Sequence, residues 1–89
     1  MSIRGEVTIT VQPQFGGEFR VTVEESGSET THVVTVHSGR DGVADEALVE
    51  ASFGFLLDRE PKESILPRFD LAVIERYFPD YPSRIGDYL

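Results

Sequence analysis

The alternation of apolar and polar residues along the first forty positions constrains the fold of this chain more than any other feature. From Val7 to Val11 every second residue is a branched aliphatic one, and threonines occupy the positions between them. This two-residue period is typical of a strand that buries one face and exposes the other. The same period predicts three strands, over about 4–12, about 18–25 and about 31–37.

Glycines and a proline separate these strands. Pro13 is expected to end the first strand because it has no amide for the ladder, and Gly16-Gly17 supplies the positive φ of a turn. Both faces of the third strand carry valine. We assign the face of Val34 and Val36 to the core because it matches the branched inward faces of the other two strands. The short turns predict an antiparallel meander with one face in need of a cover.

The second half of the chain is expected to supply this cover, because its apolar residues follow the period of a helix. We predict a helix over about 43–59 and a short one over about 71–78 with Asp70 as its N-cap. A final turn should follow Pro82. The long helix has a narrow polar side, so both the sheet and another element should pack on it. The predicted fold is a single α+β domain of residues 1–89, a three-stranded antiparallel meander covered by two or three C-terminal helices in two layers.

Net charge limits the partners that this chain can attract. Sixteen acidic and eight basic residues give a net charge of −8, so neither nucleic acid nor an anionic membrane is expected to bind. Residues 41–63 hold seven of the acidic residues and only two basic ones. If charge selects a partner, that partner is basic and docks near this segment. The simpler interpretation is that these charges keep a small protein soluble.

The absence of cysteine excludes disulfides, thiolate nucleophiles and zinc sites that need sulfur. No secretory signal follows Met1, and no apolar run approaches the roughly 20 residues of a membrane span, so we expect a cytoplasmic protein. Seven arginines against one lysine, with no asparagine or tryptophan, are typical of a GC-rich bacterial genome. Nothing in the sequence indicates a cofactor.

The two histidines are the first candidates for metal or acid-base chemistry. His32 and His37 lie five positions apart, so on one strand they point to opposite sides of the sheet and cannot share a metal. His32 is expected to be a core or edge histidine with a hydrogen-bond partner. Glu46 and Glu50 share a helix face, and without a third converging group they should be solvated. We therefore predict no catalytic residue and no metal ligand.

The segment 37–42 connects the third strand to the first helix and could turn free amides toward an anion, with His37 and Arg40 as side-chain ligands. It has the spacing of neither a P-loop nor a dinucleotide fingerprint. Its glycines are also what a strand-to-helix corner requires. The alternatives at this segment are therefore a site for an anion or phosphate-bearing ligand and a purely structural corner.

Tyrosine and arginine concentrate near the C-terminus, and both are enriched in the energetic centres of protein interfaces. They predict an interface formed by Arg76, Tyr77, Tyr81 and Arg84. Alternatively these aromatic rings close the core, because a domain of this size needs most of its large apolar side chains for packing.

Together these features favour a non-catalytic bacterial domain that acts by protein-protein contact. It could associate with itself, as a homodimer joined through a sheet edge or the C-terminal aromatic residues, or serve as an adaptor for another protein. One alternative is a small-ligand domain that uses residues 37–42. The other is an acidic partner that neutralises a basic protein.

Overall fold

The computed structural model describes residues 7–89, and within them the sheet has four strands in the order β1-β2-β3-β4. These strands are β1 (Thr8–Pro13), β2 (Glu18–Glu25), β3 (Ser28–Thr35) and β4 (Arg68–Asp70). The first three are antiparallel neighbours, and β4 runs parallel to β3. The predicted α+β fold with an antiparallel meander is thus confirmed, and the predicted three strands are corrected to four.

Pro13 is the last residue of β1, so the strand ends at this proline as predicted, one residue beyond the predicted bound of about 12. The amide of Gln14 donates to the carbonyl of Glu18 at 2.7 Å, so the even-numbered residues of β1 form the hydrogen-bonded pairs with β2. Pro13 lies opposite Phe19, between two such pairs, where the ladder needs no amide from it. Residues 4–6 of the predicted first strand lie outside the described residues.

The long helix α1 (Asp45–Leu57) is packed on two sides, as its narrow polar side predicts. The ring of Phe53 lies against the sheet, 5.4 Å from the ring of His32 and 6.0 Å from that of Phe69. The ring of Phe55 meets the C-terminal segment. Its neighbours at 5.2 to 5.9 Å are the rings of Phe78, Tyr81 and Tyr88. Both phenylalanines are fully buried, which places α1 at the centre of the core.

The C-terminal segment forms short helical turns where one helix over 71–78 was predicted. In chain order they are a 3-10 turn (Leu71–Val73), α2 (Ile74–Tyr77), α3 (Tyr81–Arg84) and a second 3-10 turn (Ile85–Tyr88). Asp70 caps the first turn as predicted, since its Oδ1 accepts a hydrogen bond from the amide of Ala72 at 2.9 Å. In residues 7–89 no helix combines the length and the apolar character that crossing a membrane requires.

His32 is a core histidine with hydrogen-bond partners, as predicted. Its Nδ1 donates to the carbonyl of Leu66 and its Nε2 accepts from the hydroxyl of Thr30, both at 2.8 Å. The amide of Val33 also donates to the carbonyl of Pro67 at 2.8 Å. These bonds attach the loop before β4 to β3 and thereby position the fourth strand.

Candidate functional site

A groove next to β4 has a mostly apolar lining. We call it the β4 groove; its volume is about 320 Å³. The side chains that decide its character are Leu56, Glu60, Leu66, Phe69, Ile74 and Tyr77. They come from the end of α1, the loop before β4, β4 itself and α2, so the groove exists because the fourth strand brings these elements together.

Two large apolar side chains at the β4 groove are exposed to solvent. Tyr77 is 66% exposed and Leu66 is 44% exposed. Leu56, Phe69 and Ile74 of the same groove are buried. An exposed aromatic ring beside buried apolar side chains is a common feature of protein contact surfaces.

Glu60 is the charged residue of the β4 groove. Its side chain is half-buried, and its carboxylate makes no hydrogen bond or ion pair with residues 7–89. Burial raises the pKa of the Glu60 carboxyl above its ordinary value, because desolvation disfavours the charged form. The groove therefore combines apolar side chains with one carboxylate that lacks a cationic partner in the described residues.

A second cavity, of about 370 Å³, is lined by both predicted ligand-binding residues, His37 and Arg40. We call it the His37 cavity. The Nε2 atom of His37 lies 2.7 Å from Oδ2 of Asp70, whose other oxygen caps the following turn. Glu75 also lines the cavity, so two carboxylates stand beside the two basic residues.

Arg40 makes no ion pair with residues 7–89, although it lines the same cavity as Asp70 and Glu75. The adjacent wall of the cavity is Tyr81, whose hydroxyl lies 2.7 Å from Oγ of the fully buried Ser52. Burial raises the pKa of the Tyr81 phenol, and the hydrogen bond with Ser52 and the charge of Arg40 partly offset this rise. Tyr81 is therefore a neutral wall of this cavity at pH 7.

The four residues of the predicted interface do not form one surface. Tyr77 borders the β4 groove, whereas Tyr81 packs on Phe55 and lines the His37 cavity. Arg76 is exposed, and Arg84 is exposed with its guanidinium 3.9 Å from Asp87. Packing against Phe55 thus explains the position of Tyr81. That these four residues contact a partner stays a prediction.

The sequence interpretation missed Glu60 and Leu66 as site residues. No pattern marks either of them, because the β4 groove depends on a short strand that pairs with a distant one. Glu46 and Glu50 are exposed on α1, as expected. No group of three or more histidine, cysteine or acidic side chains in residues 7–89 is arranged to hold a metal ion.

Comparisons with known proteins add no assignment to this geometry. No protein-family model matches the sequence, and neither the curated proteins nor the solved structures give a significant match.

Proposed function

We propose that this protein is a non-catalytic domain that acts by protein-protein contact and that the β4 groove binds an apolar segment of another protein with a lysine or arginine in it. The single observation that carries this proposal is the carboxylate of Glu60, which is half-buried among apolar side chains and lacks a cationic partner in the described residues. A half-buried carboxylate without a partner is unfavourable, and a bound cation would remove this penalty.

The charge of the whole chain supports a basic partner. With a net charge of −8, the protein attracts cationic segments and repels anionic ones over distances of about 10 Å at ordinary salt concentrations. The partner class is therefore basic and apolar, which unites the adaptor hypothesis with that of an acidic protein that neutralises a basic one. The composition further suggests that this contact takes place in a bacterial cytoplasm.

The exposed residues at the groove support a contact role. Tyrosine is enriched in the residues that dominate binding energies, and Tyr77 is held at the rim by α2 with most of its ring in solvent. Leu66 stands on the loop before β4. An apolar side chain of the partner can then lie between Tyr77 and Leu66. A lysine or arginine of the same partner segment reaches Glu60.

Short amphipathic helical peptides provide a direct test. One peptide, of leucine and alanine, carries a central lysine, and a matched peptide has glutamine in its place. Binding is followed by NMR on the isotope-labelled protein. We expect the lysine peptide to shift the amide signals around the groove and to bind several times more tightly than the glutamine peptide, by an amount that falls with added salt.

Three variants refine this test. Glu60→Gln should remove the preference for lysine over glutamine, whereas Glu50→Gln, on the exposed side of α1, should retain it. Tyr77→Ala should weaken both peptides. Equal binding of the two peptides to the unaltered protein, or signal shifts that map away from the groove, would contradict the proposal. A simple alkyl amine that binds as tightly as the lysine peptide would assign the groove to a small ligand and overturn it.

A second candidate function is the binding of a small anion or phosphate-bearing ligand in the His37 cavity. The observation that favours it is that His37 and Arg40 line one cavity and Arg40 has no ion pair with residues 7–89. Inorganic phosphate and sugar phosphates should then raise the thermal midpoint of the protein, and Arg40→Ala should abolish this rise while Arg84→Ala retains it. No rise with any phosphate compound would leave the cavity as a structural corner.

A further inference from the structure

The outer edge of β1 offers a row of backbone groups to a further strand. In β1 the even-numbered residues form the hydrogen-bonded pairs with β2. The amides and carbonyls of Ile9 and Val11 therefore point away from the sheet. Pro13, whose missing amide would lie on this outer side, limits the row at its end. No strand within residues 7–89 pairs with this edge.

Side-chain burial shows that the core is incomplete at this edge. Ile9 and Val11 face the same side as their cross-strand partners on β2, Val23 and Val21. The two β2 residues are 0% exposed, whereas the two β1 residues are only half-buried although they pack against the core. A strand on the outer side of β1 would bury them.

Apart from Pro13 at its end, the described part of this edge lacks the devices that usually protect an exposed strand. Charged side chains, a bulge or a very short strand commonly prevent two edges from pairing. β1 has six residues, and no charged residue occurs from Val7 to Gly17. In a chain with a net charge of −8, this is the longest run without a charged side chain. Pairing of the strands themselves therefore places no like charges side by side, although the two copies carry the same net charge.

We propose that two copies of this chain form a homodimer by antiparallel pairing of their β1 strands. The pairing is symmetric, because the outward groups of one strand are the donors and acceptors that the other requires. With a two-fold axis near Thr10, Ile9 of one copy lies opposite Val11 of the other on the core side. Their threonines meet on the solvent side. This inference does not depend on the proposed function of the β4 groove.

A trough under the edge has room for the side chains of the second copy. Its volume is about 410 Å³, and its walls are Ile9, three small residues of α1 (Ala47, Ala51 and Gly54) and the larger side chains of Glu50, Tyr88 and Leu89. The three small residues leave room beside Ile9, and the exposed Glu50 is the charged residue of this lining. The half-buried aliphatic side chains of the second β1 strand can therefore enter the trough as the two sheets join.

A charged residue in place of Thr10 tests the dimer without disturbing the monomer, because this side chain is exposed on the solvent face. Thr10→Lys and Thr10→Glu should each weaken dimerisation at least tenfold, because like charges would face each other across the axis. A mixture of the two variants should form a heterodimer. Thr31→Glu, on the same face of β3 but away from the edge, should dimerise as the unaltered chain does.

Two measurements report on the dimer: its molar mass in solution and the hydrogen exchange of its backbone amides. Light scattering during size-exclusion chromatography should show a dimer at micromolar concentration. In the dimer the amides of Ile9 and Val11 should become protected from exchange, whereas that of Thr10 is protected in monomer and dimer alike. A strict monomer at high micromolar concentration would overturn the inference. So would a dimer that Thr10→Glu leaves intact, since that dimer must use another surface.

Discussion

The two edges of the sheet are built in opposite ways. β1 has six residues, carries no charge and leaves its core-facing side chains half-buried. β4 has three residues, and a 3-10 turn follows it at once. It also carries Arg68, whose guanidinium lies 3.0 Å from the carboxylate of Glu18. The short length and the charge of β4 are the features that stop further strand pairing.

This difference separates the two contacts that we propose for this chain. At β1 the backbone is available, so a second strand is the natural partner. At β4 the edge is only three residues long, and the adjacent groove instead offers side chains, with an apolar surface around Glu60. The two edges can therefore serve different partners at the same time, because they lie at opposite ends of the strand order.

The largest effect that we expect from a single substitution is that of Phe69→Ala. Phe69 is the buried centre of β4, and its ring lies 6.0 Å from that of Phe53. Removing a buried phenylalanine ring costs about 3–5 kcal/mol in free energy of unfolding. Ile9→Ala on the opposite edge should cost less than half of that, because its side chain is only half-buried. Denaturant unfolding at a concentration that keeps the chain monomeric measures both.

A cost for Ile9→Ala equal to that of Phe69→Ala would show that the β1 edge is as well packed as the β4 edge. The comparison of the two edges would then be wrong, and the proposed dimer would lose its main physical reason.

His32 carries the next largest effect, because it attaches the β4 edge to the rest of the sheet. His32→Leu approximately keeps the volume of the side chain but loses the hydrogen bonds to Leu66 and Thr30. The part-buried carbonyl and hydroxyl would lose a partner, at a cost of about 1 kcal/mol in unfolding free energy. Amide exchange should accelerate in β4 and less in β1. Uniform acceleration through the sheet would argue against a local role for this histidine.

The strands β1 to β3 could be predicted because each has enough residues to show the two-residue period. β4 could not, since three residues show no period and its pairing with β3 connects positions far apart in the chain. The bonds that hold it, from His32 and Val33 to a loop more than thirty residues away, leave no local pattern in the sequence.

The candidate sites show the same division. His37 and Arg40 could be linked from the sequence because they belong to one short corner. The pairing of His37 with Asp70 could not be, although Asp70 was recognised as a helix cap, because it depends on where β4 ends. Glu60 had no pattern at all, since its importance comes from the apolar side chains that the fold places around it.

Two substitutions of Asp70 separate the stabilisation by its helix cap from that by its contact with His37. Asp70→Ala removes both the cap on Ala72 and the contact with His37, and it should cost about 1 kcal/mol in unfolding free energy. Asp70→Asn keeps an acceptor for the cap and loses the carboxylate that faces His37. It should cost a few tenths of a kcal/mol, because His37 is 74% exposed and pairs at the surface contribute little. Thermal unfolding of both variants checks this order, which equal losses would contradict.

The smallest effect concerns Glu60 and depends on pH. Since burial raises the pKa of this carboxyl, the folded chain binds its proton more readily than the unfolded chain does. The resulting stabilisation is present below the ordinary pKa of a glutamate and is lost as the pH rises through the folded-state value. At pH 7 the charged group therefore disfavours folding, and Glu60→Gln should raise the thermal midpoint.

The gain from Glu60→Gln should shrink as the pH falls below the ordinary pKa of a glutamate, because the raised pKa of Glu60 lets the unaltered protein take up its proton there. Glu50→Gln, at an exposed position of α1, is the matched control and should not show this pH dependence. A gain that stays constant with pH would mean that the charge of Glu60 costs the folded state nothing. The β4 groove would then have no electrostatic reason to prefer a cationic partner, and only its apolar side chains could select one.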